Sequence, residues 1–94
     1  MTVNYEPDAW ATIDDIVDFI DSINTEGSGR FWLANFLNHI ESYARPNVTY
    51  ALCHNKSLAS DGLSCINYNG WVIAFKIEED ELVVHYIVRG DLLV

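Results

Sequence analysis

The stretch Tyr68-Asn69-Gly70-Trp71-Val72-Ile73-Ala74-Phe75-Lys76-Ile77-Glu78-Glu79-Asp80-Glu81-Leu82-Val83-Val84-His85-Tyr86-Ile87-Val88-Arg89 decides the fold. Two runs rich in β-branched and aromatic residues, 71–77 and 82–89, flank an acidic link and read as strands. Asn69-Gly70 ahead of them is the strongest short-range hairpin signal, because both residues tolerate positive φ. If Glu78-Glu79-Asp80-Glu81 forms a four-residue loop, Ile77 faces Leu82, Phe75 faces Val84, Ile73 faces Tyr86 and Trp71 faces Val88. That face is wholly apolar and has to be covered. The opposite face mixes Val72, Ala74 and Lys76 with Val83, His85, Ile87 and Arg89. Upstream, 63–68 reads as the strand entering the Asn-Gly turn, 48–53 as a further β-rich strand, and His54 to Gly62 as a polar loop.

The cover comes from the other end of the chain. Residues 2–5 read as a short strand, and Glu6-Pro7-Asp8 offers a helix start with Asp8 as a candidate N-cap. Over 9–24, Trp10, Ile13, Ile16, Val17, Ile20 and Ile23 recur every three or four positions, which is one face of a helix. Asp14, Asp15, Asp18 and Asp21 occupy the other side, with no Lys or Arg at i+3 or i+4 to neutralise them. Thr25-Glu26-Gly27-Ser28-Gly29 interrupts the pattern, and Ser28 can cap a second helix. That helix spans 29–44, with Leu33, Phe36, Leu37, Ile40 and Ala44 inward, and Arg45-Pro46 ends it. The expectation is a single α+β domain over 1–94 in two layers, a helical hairpin on one face of a mostly antiparallel sheet of three or four strands.

Half of the 94 residues are apolar and 20% are charged, which is enough core material for one independently folding domain. Fourteen Asp and Glu against five Lys and Arg leave a formal charge of −9. Phosphate backbones and anionic lipid need cations, so direct nucleic-acid or membrane binding is disfavoured and a basic protein partner is favoured. Seven of the acids, Glu6, Asp8, Asp14, Asp15, Asp18, Asp21 and Glu26, precede Arg30, the first basic residue. The N-terminus has no leader-like pattern, and no apolar run approaches the roughly 18 residues of a membrane span, so a cytoplasmic protein is expected. Cys53 and Cys65 show no CxxC spacing and do not read as a disulfide framework. They are expected to be reduced thiols filling strand positions.

Lys76, His85 and Arg89 on one sheet face reverse the global charge locally and form the first candidate partner-binding group. The plainer readings are a snorkelling Lys76, a cross-strand packing His85 and a surface Arg89 offsetting the chain's own potential. Asp14, Asp15, Asp18 and Asp21 form the second: either a solvated helix face or a surface that meets a basic protein. His39 and His54 have no third ligand at useful spacing, so no metal is expected, nor any other cofactor. Ser57, Ser60 and Asp61 share the loop with His54, but nothing orders them as nucleophile, base and orienter.

Taken in chain order, these residues carry a family resemblance. Asn4-Tyr5-Glu6-Pro7-Asp8-Ala9, with the stripe Ile13 to Ile20 after it, resembles the strand, "SPEA"-like helix start and first helix of the RelE/ParE toxin superfamily. Gly29-Arg30-Phe31 through Ile40-Glu41-Ser42 is similar to that family's second helix. Tyr68 to Val84 is similar to its "Y-R-I-x-Y-x-V-x-D-D-x-V-V-V" hairpin, and Ile87-Val88-Arg89-Gly90 stands where ParE-like members carry "V-x-H-G". The resemblance covers nearly the whole chain.

It implies a small toxin of a type II toxin–antitoxin pair, held by an antitoxin segment that wraps it. RelE-type members cleave messenger RNA on the ribosome, and ParE-type members poison DNA gyrase. RelE-like cleavage relies on several strand Lys and Arg plus a Tyr or His near the C-terminus to stabilise a phosphorane. Here the strands supply Lys76 and, at the end, Arg89; Tyr86 is expected on the apolar face, and Asp91 and Leu92 come after the Arg-Gly corner. Two functions are therefore expected as alternatives. One is a ParE-like, non-enzymatic toxin that binds a protein and leaves room for a homodimer. The other is an acidic inhibitor or adaptor on the same fold, such as a phage counter-defence protein that binds a basic nucleic-acid-handling protein.

Overall fold

A computed structural model describes residues 1–92. The elements run β1 (Thr2–Tyr5), α1 (Pro7–Ile23), α2 (Ser28–Glu41), α3 (Lys56–Ser60), β2 (Ser64–Tyr68), β3 (Trp71–Glu78) and β4 (Glu81–Arg89), then a 3-10 turn over Gly90–Leu92. The four strands form one mixed sheet in the order β1-β4-β3-β2. The hairpins β2–β3 and β3–β4 are antiparallel, whereas β1 lies parallel to β4, with Val3 opposite Leu82 and Tyr5 opposite Val84. The helical hairpin α1–α2 covers one face, giving a two-layer α+β arrangement.

Packing obeys the apolar spacing. Ala9, Ile13 and Ile16 of α1 and Phe36 and Ile40 of α2 close over Ile66, Ile73, Phe75, Leu82, Val84 and Ile87 of the sheet. Trp32 stacks on Phe36 at 4.6 Å between centroids, and Tyr68 meets Phe36 edge-on at 5.5 Å. At roughly 25 cal/mol per Å² of apolar area, this shared layer is the main stabilising term. The helix starts differ from expectation. Pro7 takes the first helical position after Glu6, which removes one orphan N–H and leaves Asp8 in the first turn, where its charge suits the positive helix end. Gly27, not Ser28, is the N-cap of α2, in a left-handed conformation with φ 94°. Trp10 and Ile23 do not reach the core: Trp10 rests on Tyr5 at the rim, and Ile23 is 62% exposed.

Three further expectations are corrected. Residues 48–53 are not a strand. Asn47 turns the chain with φ 63°, and the segment touches the sheet through one bridge, Leu52 with Ser64, and one bond, from the Cys53 amide to the Leu63 carbonyl. Tyr50 anchors it by packing on Phe75 and donating its hydroxyl to the Tyr43 carbonyl at 2.7 Å. The loop after it contains the short helix α3, capped by Asn55, whose side chain accepts from the Leu58 amide. Cys53 and Cys65 are joined in a disulfide rather than reduced. The Leu52 bridge sets their Cα atoms 5.1 Å apart, within normal disulfide reach, and ties residues 53–65 to the sheet face away from the helices. The expectation of reduced thiols, which followed from the cytoplasmic one, is not met. Among the described residues no helix is long and apolar enough to cross a membrane.

The register correction matters most. The β3–β4 link is a two-residue turn, since Glu78 pairs with Glu81 and both Glu79 and Asp80 have positive φ. Pairing runs as expected through Ile77–Leu82 and Phe75–Val84. A bulge at His85 then shifts it, so that Ala74 meets Tyr86, Ile73 meets Ile87, Val72 meets Val88 and Trp71 meets Arg89. An extra residue on one strand exchanges the faces of everything beyond it. Ile87 and Arg89 move to the helix face, and Tyr86 and Val88 move off it. Tyr86, expected on the apolar face, is 43% exposed on the other.

Candidate functional site

Lys76, His85 and Arg89 do not form one group. Alternation places Lys76 on the open face of β3, where it lines a shallow groove with Val48, Thr49, Leu52 and Gly62 from the disulfide-tied segment. His85 lines a separate depression with Tyr86 and the α1 start, Glu6-Pro7-Asp8, and its Nε2 lies 3.1 Å from Glu78 Oε2. Arg89, carried across by the bulge, borders a third depression on the helix side, and its guanidinium reaches Asp91 at 3.2 Å. Two of the three basic groups are thus matched by a carboxylate of the same chain. The turn next to His85 is also strongly acidic: Glu81 accepts from Asn4 at 2.6 Å and from Thr2 at 3.4 Å while standing opposite Glu78.

The acidic residues of α1 divide as well. Asp21 is structural: its Oδ1 accepts from the Gly29 amide at 2.8 Å, placing a carboxylate at the positive end of α2. Asp14, Asp15 and Asp18 remain exposed along the helix, with no ion pair among the described residues. Asp15 shares the third depression with Thr12, Ile16, Phe19, Trp71 and Arg89. This cleft between α1 and the ends of β3 and β4 has a volume of about 290 Å³ and largely apolar walls. Phe19 stands 61% exposed at its mouth.

Sequence reasoning missed Trp71, Phe19 and Thr12 as members of a site. Phe19 did carry a signal, being a large aromatic outside the inward stripe of α1. Trp71 carried none, because only the bulge sets Arg89 opposite it. His39 packs between Tyr43 and Tyr68 rather than presenting itself to a ligand, and among the described residues no three His, Cys, Asp or Glu side chains gather where they could hold a metal ion. Among the described residues the one strongly displaced titration belongs to Tyr5, pushed up to about 12 first by burial and then by the nearby Glu41 carboxylate, with its hydroxyl buried and unpartnered. No protein-family model matches this chain, and no curated protein sequence matches it significantly.

Proposed function

We propose that this chain is a RelE/ParE-like protein that acts by binding another protein, as the toxin-like component of a type II toxin–antitoxin pair nearer the ParE branch, rather than by cutting RNA. The order of strand, helical hairpin and antiparallel meander supports the family reading, and fold alone leaves the activity to the site. The observation that carries protein binding over RNA cleavage is the dispersal of the basic groups. Lys76, His85 and Arg89 line three separate depressions, and Glu78 and Asp91 accompany the latter two. The bulge does bring Tyr86 beside His85, a pairing that acid–base chemistry on RNA could use. Glu6 and Asp8 border that depression, however, and carboxylates there repel a phosphate and destabilise a phosphorane.

The test is expression of the chain alone. Growth arrest that is relieved by co-expressing a small neighbouring open reading frame, without shortening of messenger RNA, is the expected result. Harmless expression with no neighbouring antitoxin overturns it.

The exposed carboxylates Asp14, Asp15 and Asp18 favour a second reading, an acidic inhibitor or adaptor that covers a basic surface of a nucleic-acid-handling protein. Such a chain is harmless alone and co-purifies with a basic enzyme, with affinity falling steeply as salt rises.

A further inference from the structure

We infer that the cleft formed by Thr12, Asp15, Ile16 and Phe19 of α1 with Trp71 and Arg89 of the sheet is the docking groove for a basic amphipathic helix of the partner protein. The inference rests on the protein-binding reading above and assigns its surface and the partner's chemistry. The groove, at about 290 Å³, is just below the roughly 300–1,000 Å³ of pockets that enclose whole small ligands, so it suits side chains inserted from a larger partner. Thr12, Ile16, Phe19 and Ile23 succeed one another at three- and four-residue steps and therefore form a stripe along α1, continuing the groove lengthwise. Phe19 and Ile23 on that stripe are each more than 60% exposed, an arrangement that burial by a partner would relieve. The exposed apolar edge of Phe19 and Ile23, with a cleft floored by Ile16 and Trp71 beside it, is the complement of a helix presenting apolar residues at i, i+3 and i+4.

Charge selects among occupants. Asp15 lies in the cleft wall, Asp18 and Asp14 follow further round the exposed side of α1, and the chain carries −9 overall, so a second copy of this chain would bring carboxylates against carboxylates. A helix with Lys or Arg beside its apolar face meets the opposite sign and is steered to the surface. Arg89, the one cation of the cleft wall among the described residues, is paired with Asp91 at 3.2 Å, which offsets its repulsion of a basic partner.

The test uses the full chain, isotopically labelled, titrated with a synthetic helical peptide carrying Leu on one face and Lys on the other, with a Leu/Glu peptide of the same pattern alongside. The expected result is saturable amide shifts at Thr12, Asp15, Phe19 and Trp71, including the Trp71 indole N–H, with affinity that falls as salt rises. Phe19→Ala, at an exposed position, weakens binding at least tenfold, and Ile23→Ser weakens it less. Shifts mapping elsewhere, equal binding of the Leu/Glu peptide, or unchanged affinity in Phe19→Ala overturn the inference. Groove shifts that grow with protein concentration before any peptide is added also overturn it, in favour of a second copy. If a captured protein partner binds Phe19→Ala and the native chain equally, the groove assignment falls while the protein-binding reading stands. If the peptide occupies the groove but expression never arrests growth, the toxin reading falls and the groove stands.

Discussion

Replacing Gly29 with Ala tests how closely the helical hairpin is packed. A Cβ built on Gly29 would lie 2.6 Å from the Val17 carbonyl oxygen, 2.9 Å from Asp21 Oδ1 and 2.9 Å from Val17 Cγ1. The first of these is backbone in the middle of α1 and cannot rotate away. Two effects compete. Ala is the better helix former by at most about 1 kcal/mol, and less in the first turn, where Gly29 stands. Against that, overpacking costs roughly 1–3 kcal/mol. Parting the helices also stretches the 2.8 Å bond from the Gly29 amide to Asp21, a charge-assisted contact worth roughly 1.5–3 kcal/mol when intact. The clash wins, and the expected net loss is about 2 kcal/mol. For a domain of this size that lowers Tm by roughly 8–16 °C, readable by thermal or urea denaturation monitored by circular dichroism. Gly27→Ala is the matched control. Its Cβ meets nothing within 4 Å, so it loses only the roughly 1–2 kcal/mol cost of a left-handed Ala and keeps the Gly29–Asp21 bond. A Gly29→Ala protein as stable as the parent, or less affected than Gly27→Ala, refutes the close approach of α1 and α2.

The same contacts lead to other outcomes. Reducing the Cys53–Cys65 disulfide, or replacing both residues with Ser, lowers stability by about 3 kcal/mol on a loop-closure estimate and raises amide exchange across residues 48–63 more than in the helices; exchange unchanged there contradicts the fastening role. Glu79→Asn with Asp80→Gly raises stability by roughly 1 kcal/mol in urea denaturation, because both positions already hold positive φ at a cost to their side chains. Tyr5 stays protonated in the folded chain until about pH 12, whereas an unfolded tyrosine ionises near its ordinary value of 10.0. The folded state therefore holds its proton more tightly, and stability is unaffected below that ordinary value and falls as pH rises towards 12. Ultraviolet titration should show one late-ionising tyrosine that Tyr5→Phe removes. Reversing Asp14, Asp15 and Asp18 to Lys leaves thermal stability within about 1 kcal/mol of the parent, since no ion pair is lost, while abolishing binding of the Leu/Lys peptide; retained binding shows that the acidic face plays no part in docking.

Most of the architecture was legible because it depends on local periodicity. Ile13 and Ile16 in α1, Phe36 and Ile40 in α2, and Phe75, Leu82 and Val84 in the sheet all lie where their spacing put them. Asn69-Gly70 makes the expected tight turn, with both residues at positive φ. The site was less legible. Asp21 read as one more surface acid and is instead the anion at the start of α2, because its partner amide belongs to another helix. Cys53 and Cys65 read as unrelated, because nothing in their own neighbourhoods foretells that Tyr50 and the Leu52 bridge fold the segment back onto β2.

The sequence by itself determined the two long helices, the four strands of the sheet, the inward stripes of α1 and α2 and where the negative charge accumulates, since each of these is a property of a few neighbouring residues, but neither the irregular course of 48–53 nor helix α3. Tertiary structure alone decided the bulge at His85. Both continuations of β4 are apolar enough to serve as a strand, with Tyr86 and Val88 inward or with Ile87 and Arg89 on the helix side. The choice falls to the sheet and α1, which bury Ile87 against Ile73 and leave the tyrosine hydroxyl in water. That one extra residue moves Arg89 off the sheet face that carries Lys76 and sets it beside Trp71, in the largely apolar cleft between the sheet and α1.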